Sequence, residues 1–219
     1  MSLPLELVNK TISIIAKRNS GKSVLCKYLV EHHRDKFDKI FVVCPTENLN
    51  NHYQKDGLIP KNCIFDEWNE EWALELTKNL QKINANKPQK DMKMCLLLLD
   101  DLYNDTDFHH SKILKSIFTR SRHYGLAVIS LTQTLYSLPP FVRINSDYVI
   151  LGQINHASVC LAAEEFLSGD LDKSGFIKLF NRSTTDHQFL VINNNSISNS
   201  TDLNQIYGII KVPDEYVEK

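Results

Sequence analysis

Glycine is scarce in this sequence. Only seven occur in 219 residues, about half the usual frequency of roughly 7%. A collagen-like or Gly-rich linker protein is excluded, and each glycine is worth locating. No C-x-x-C pair exists, and the five cysteines (Cys26, Cys44, Cys63, Cys95, Cys160) are odd in number and widely spread. A disulfide framework or a zinc ribbon is therefore not expected, and single reduced thiols in a reducing compartment are. Long apolar runs are missing too. The longest, Met94–Leu99, is far too short to span a bilayer, so no membrane association is expected. Met1–Leu7 has no basic segment followed by an apolar stretch, so no secretory signal is read there. The myristoylation pattern is absent, because position 2 is Ser. Neither charge is in excess: 25 Lys and Arg stand against 26 Asp and Glu. A uniformly basic nucleic-acid coat is excluded. Apolar residues make up 42% of the chain, so it is not intrinsically disordered.

The histidine pairs His32-His33 and His109-His110 point to different helix faces and make poor metal pairs. The sequon at Asn104-Asp105-Thr106 means little without a secretion signal.

Short apolar runs alternate with longer amphipathic ones. Strands are expected at Thr11–Ala16, Lys39–Cys44, Met92–Leu99, Leu126–Thr132 and Asp147–Leu151. Helices are expected at Ser23–Phe37, Glu67–Ala85 (with Trp68, Trp72, Leu76, Leu80 and Ile83 as its apolar stripe) and Thr106–His123, the last stopped by Gly125. Two more helices follow, near His156–Leu167 and Leu171–Phe180. Final strands are read at His187–Ile192 and Gln205–Lys211, with Asn193–Asp202 as a hairpin loop. This alternation, with near-continuous apolar strands, predicts an α/β fold with a mostly parallel sheet covered on both faces. One domain of residues 1–219 is expected, with its core at about 10–152 and the C-terminal helices and strands at 153–219. In such sheets ligands bind where strands end at their carboxyl side.

After the first strand comes Ala16-Lys17-Arg18-Asn19-Ser20-Gly21-Lys22-Ser23, then Val24. This is G-x-x-x-x-G-K-[ST] with Ala16 in place of the first Gly, set between a strand and a helix. Backbone N–H groups of such a loop cradle phosphates, and Gly21 permits the close approach. The next helix aims its N-terminus at the anion. Lys22 would reach the β- and γ-phosphates of ATP, and the Ser23 hydroxyl would ligate Mg²⁺. The third strand ends Leu96-Leu97-Leu98-Leu99-Asp100-Asp101. That is a Walker B pattern: Asp100 would hold Mg²⁺, and Asp101 would polarise an attacking water. The plain alternative is an Asp serving as a turn residue at a strand end.

The fourth strand ends in Thr132-Gln133. Gln133 could contact the γ-phosphate or water if this strand lies between the first and third, as in an inserted-strand order 5-1-4-3-2. Arg120, Arg122 and Arg143 flank the strand. Arg122 and Arg143 are the preferred candidates for an arginine acting on a neighbour's nucleotide.

Together AKRNSGKS, LLLLDD, RSRHYGLAVISLTQ and LPPFVRINSDY resemble the FtsK–HerA superfamily, and within it the poxvirus-type genome-packaging ATPases of large DNA viruses and virophages. Arg122-His123, Gln133, and Pro139, Arg143 and Asn145 carry the likeness, which covers about residues 10–152. The part after Gly152 has no counterpart. The resemblance implies a RecA-like P-loop ATPase, acting as a homo-oligomeric ring (pentamer or hexamer) that pumps double-stranded DNA into a preformed capsid. Capsid or portal-vertex protein would be a partner. An intracellular location follows, in host cytoplasm or a virus factory and in the virion. Ala16 for Gly and Asp101 for Glu are the departures. A small-molecule P-loop kinase and a nucleotide-gated assembly module without turnover remain as alternatives.

Charge is segregated along the chain. Phe108–Ser146 holds no acid but has Lys112, Lys115, Arg120, Arg122 and Arg143. Asp66–Glu75 holds five acids and no base. One basic surface could thus face phosphates or a neighbour; two ordinary solvated helix faces are the alternative.

Overall fold

The computed structural model describes residues 5–55, 57–102, 106–168, 171–196 and 201–217. Asn104 and Asp105 of the sequon lie outside them, as do 197–200 of the expected hairpin loop. Eight strands form one sheet: β1 (Thr11–Ile15), β2 (Lys39–Val43), β3 (Ile64–Phe65), β4 (Cys95–Asp100), β5 (Leu126–Thr132), β6 (Tyr148–Leu151), β7 (Gln188–Asn193) and β8 (Tyr207–Lys211). The helices are α1 (Lys22–His32), α2 (Glu47–Asn50), α3 (Glu70–Asn84), α4 (Thr106–His110), α5 (Lys112–Tyr124), α6 (Pro140–Asn145), α7 (His156–Phe166), α8 (Lys173–Ser183), α9 (Leu203–Ile206) and α10 (Asp214–Val217).

The strand order is β3-β2-β4-β5-β1-β6-β7-β8. Its central five strands follow the inserted-strand order expected from the sequence. The short β3 adds a parallel edge beside β2. The C-terminal β7 and β8 add antiparallel ones beyond β6. Every residue of β1, β4 and β5 is buried. Successive side chains of a strand face opposite sides, so both faces of these strands are covered. That is why they read as unbroken apolar runs rather than alternating ones.

The residues cluster as two compact units, each interleaved in sequence. One is built mainly from Ile12–Tyr28 and Thr132–Lys219, the other from Glu6–Thr11 and Leu29–Leu131.

In the second unit, β2 pairs with β4 and β4 with β5, all parallel. Packing of α3 against α5 hangs on Asn84, whose buried side chain donates to the Lys93 and Tyr124 carbonyls, both at 2.9 Å. The Lys93 N–H donates back to it at 2.7 Å. Gly125 closes α5 at φ +74°, and its N–H donates to the Ser121 carbonyl. A Cβ at 125 would lie 2.6 Å from the Asn84 amide nitrogen, so only glycine fits.

Two local expectations are corrected. The single helix over Thr106–His123 is broken at Ser111, whose hydroxyl accepts from the Leu114 N–H at 3.0 Å and caps α5. The buried face of α3 is Ala73, Thr77, Leu80 and Asn84. Of the expected stripe only Leu80 is buried; Trp68 precedes the helix and packs edge-on against Phe108. The large side chains Trp72, Leu76 and Ile83 instead line a groove with Phe41 and the Asp38–Lys93 pair.

In the first unit, β1 pairs with β6 in parallel. The antiparallel β6-β7-β8 meander completes it. Among the described residues no helix is long and apolar enough to cross a membrane.

Candidate nucleotide site

The phosphate loop lies in the first unit. It leaves β1 at Ala16, which is buried, and runs through exposed Lys17, Arg18 and Asn19. Asn19 (φ +58°) and Gly21 (φ +82°) both take left-handed backbone. Asn tolerates that region better than other L-residues, and Gly takes it without cost. The Ser20 hydroxyl donates to the Lys17 carbonyl at 2.6 Å, closing the loop on itself. The Leu25 N–H donates to the Gly21 carbonyl at 2.8 Å, so α1 begins directly after Gly21. The N–H groups of Gly21, Lys22, Ser23 and Val24 are then the first of the helix, which lack helical partners. Lys22 is buried, at 8% exposure, while Ser23 and Val24 are half-buried.

The loop is held from outside its own sequence. The Ala16 N–H donates to the Thr132 carbonyl at 3.1 Å, and the Lys17 N–H to the Gln153 carbonyl at 2.8 Å. The Gly152 N–H donates to the Ile15 carbonyl at 2.9 Å. Gly152 faces Ala16 directly: a Cβ at 152 would lie 2.8 Å from the Ala16 methyl and 2.7 Å from the Phe189 ring. Gly21 sits against the side chains of His187 and Phe189, each 3.7 Å from where its Cβ would stand. Gly152, His187 and Phe189 are the residues that motif reading missed. Gly152 directly follows β6, His187 directly precedes β7 and Phe189 lies in β7, in the part of the chain without a recognised pattern.

The acidic pair lies in the second unit. Asp100 ends β4 in register with Leu131 and is 7% exposed. The Tyr53 hydroxyl donates to Asp100 Oδ2 at 2.8 Å. Cys44 Sγ lies 4.0 Å from the same oxygen. Burial, with the nearby Asp100 charge adding to it, pushes the Cys44 thiol up to about 11. Asp101 is half-buried and left-handed at φ +54°, its N–H donating to the Leu131 carbonyl at 3.1 Å. Left-handed backbone suits Asp better than the longer Glu, which accounts for the shorter acid here.

Gln133 follows β5 and is half-buried. Since β5 lies between β4 and β1, the condition set for Gln133 is met by the strand order. The two preferred arginines differ sharply. Arg122 is exposed on α5, as is Arg120. Arg143 is tied inside its own unit: Nε and Nη2 donate to the two Glu165 carboxylate oxygens at 2.7 Å each, and Nη1 donates to the Leu138 carbonyl at 2.5 Å. Its side chain is only 12% exposed. Lys112 and Lys115 are exposed on α5, while Ile113, Leu114, Ile117 and Phe118 are buried.

Among the described residues no cluster of three or more His, Cys, Asp or Glu could hold a metal. Ser23 and Asp100 offer one hydroxyl and one carboxylate, both hard oxygen donors. Each is a donor of the kind Mg²⁺ takes, an ion that keeps waters and uses one or two protein ligands plus substrate phosphates.

Residues 5–212 match the family described as Poxvirus A32 protein. The chain belongs to that family. Its A32-type sequence is 29% identical over 197 residues to protein 075L of Invertebrate iridescent virus 6, covering 90% of this chain and 75% of that one. The A32 fold is shared with B204, the DNA-packaging ATPase from Sulfolobus turreted icosahedral virus. There the TM-score is 0.68 at 17% identity, over 95% of this chain and all (100%) of that one. The genome-packaging NTPase B204 from Sulfolobus turreted icosahedral virus 2, in complex with ATPγS, matches with a TM-score of 0.64 at 17% identity, over 93% of this chain and 98% of that one. The resemblance drawn from the motifs is thereby borne out, and it extends past Gly152 into the C-terminal strands.

Proposed function

We propose that this A32-family protein is an ATP-hydrolysing motor that translocates double-stranded DNA and packages a viral genome into a preformed capsid. The observation that carries the reading is the buried Lys22 at the start of α1, directly behind a left-handed Gly21. A left-handed glycine just before a helix lets backbone N–H groups close around an anion at the helix N-terminus, and Lys22 adds a cation beside it. The likeness to B204, described as a genome-packaging NTPase, supports the choice of work done with that nucleotide.

In this reading, backbone N–H groups of residues 18–24 surround the phosphates and Lys22 donates to the β- and γ-oxygens. Ser23 and Asp100 hold Mg²⁺, which when bound neutralises charge on the β- and γ-phosphates. Asp101 accepts a hydrogen bond from the attacking water and polarises it. Gln133 orients that water or the γ-phosphate. Arg122, exposed on α5, serves a neighbouring subunit's nucleotide in a homo-oligomeric ring. Arg143, engaged by Glu165, braces α6 instead. The exposed basic side of α5 also offers a surface for DNA phosphates. The full chain acts as one ATPase domain in the infected cell, with capsid or portal-vertex protein as partner.

ATP turnover measured with and without duplex DNA at low salt, across protein concentration, tests this. Stimulation by DNA and a rise in specific activity with concentration are expected. Turnover indifferent to DNA overturns the translocase role. Consumption of ATP only with a small-molecule acceptor would make the protein a kinase.

A further inference from the structure

The segment after β2 does more than connect strands. Glu47 is 2% exposed, and its carboxylate is filled by backbone donors. The Tyr53 N–H reaches Oε1 at 2.9 Å and Oε2 at 3.1 Å, and the Gln54 N–H reaches Oε1 at 2.9 Å. The Asn51 N–H also donates to the Glu47 carbonyl at 2.8 Å. A buried carboxylate satisfied this way pins the turn 51–54, because releasing any donor leaves charge unsolvated. The pinned turn delivers Tyr53, itself only 4% exposed, to the end of β4. Its hydroxyl then donates to Asp100 Oδ2 at 2.8 Å.

We infer that Tyr53 is a positioning residue that helps fix the orientation of the Asp100 carboxylate, through its hydrogen bond to Oδ2, in which that carboxylate would hold the metal. This rests on the reading of Asp100 as the Mg²⁺-holding carboxylate. The terminal bond of an Asp side chain is a soft torsion, so hydrogen bonds to the carboxylate decide its orientation. A charged hydrogen bond from a buried, rigid phenol removes that freedom. Partners of this kind typically change metal affinity 10- to 100-fold when lost. Nothing in the linear pattern around Asp100 points to a tyrosine 47 positions earlier.

Tyr53→Phe removes only the hydroxyl. Binding of a non-hydrolysable ATP analogue is followed by calorimetry in EDTA and as Mg²⁺ is titrated, beside thermal melting of the nucleotide-free protein. Affinity in EDTA should equal that of the parent protein. The Mg²⁺ concentration giving half the metal-dependent gain should rise roughly 10- to 100-fold, with excess Mg²⁺ restoring tight binding. Glu47→Gln, which loosens the turn without touching Asp100, should move the Mg²⁺ requirement the same way by less. It serves as the second variant if Tyr53→Phe folds poorly. An unchanged Mg²⁺ requirement in both variants overturns the inference. Asp100→Asn separates the two levels. If it abolishes the Mg²⁺ effect while the Tyr53 and Glu47 variants leave the Mg²⁺ requirement unchanged, only the positioning role fails. If it leaves the Mg²⁺ effect intact, the metal role of Asp100 fails and the inference falls with it.

Discussion

Ala16 and Gly152 face each other so closely that a Cβ on residue 152 would stand 2.8 Å from the Ala16 methyl. The phosphate loop carries a methyl at its first position, where the pattern calls for glycine. The strand beside it carries the glycine instead. The space one residue takes up is left empty by the other.

Gly152→Ala should therefore destabilise the protein by about 1–3 kcal/mol, the usual cost of overpacking a tight site. ATP affinity should fall with it, since the same residues seat the loop. Adding Ala16→Gly should recover part of the loss, the Phe189 contact at 2.7 Å remaining. Denaturant unfolding of the four proteins in a double-mutant cycle measures the coupling. Simple additivity would show that the two positions are independent.

Lys22→Ala should leave the fold intact and abolish ATP turnover. The lysine is 8% exposed, so truncation leaves a small void that costs some stability without unfolding the chain. Circular dichroism and a phosphate-release assay suffice. Turnover near the parent level would mean that Lys22 does not serve the phosphates.

Asp101→Asn should bind ATP normally and lose roughly 10²–10⁴-fold in turnover, the range of a positioned general base. Asn keeps the left-handed backbone at φ +54°, so a loss of rate would report on chemistry and not on folding. Equilibrium binding and single-turnover kinetics separate the two.

Arg122→Ala should leave the melting temperature unchanged and reduce turnover of the assembled protein about 10³-fold or more. Arg143→Ala should do the reverse, costing about 1–3 kcal/mol of stability as Glu165 loses a partly buried partner. Mixing Arg122→Ala with Lys22→Ala subunits tests sharing across subunits: recovered activity is expected, and none would place both groups in one subunit.

A maleimide at neutral pH should label Cys63 and Cys160 and spare Cys26, Cys44 and Cys95. The last three are buried, and burial pushes Cys44 and Cys95 up to about 11. Their thiols stay protonated and unreactive until well above pH 9. Mass spectrometry of the labelled protein reads the pattern.

Much of this was legible in the linear chain. Apolar runs without alternation marked the strands of a doubly covered sheet, because full burial removes the need for polar positions. AKRNSGKS and LLLLDD carry the proposed phosphate and metal sites, since both are local patterns that depend on backbone shape over a few residues. The strand order followed from the fold those motifs belong to. The break at Ser111 was hidden because its capping hydrogen bond interrupts a run whose apolar period continues on both sides. The buried face of α3 was misread because small Ala73 and Thr77 sit inward while Trp72 and Ile83 edge a groove.

The sequence by itself determined the class of fold and where the proposed phosphate loop and acidic pair stand in it. Contacts between distant segments decided the rest. Only tertiary structure set Gly152 against Ala16, brought Phe189 and His187 to Gly21, committed Arg143 to Glu165 while leaving Arg122 exposed, and carried Tyr53 to Asp100. Each of these joins residues whose separation in the chain bears no relation to their distance in space. Packing and buried hydrogen bonds choose such partners only once the sheet has formed.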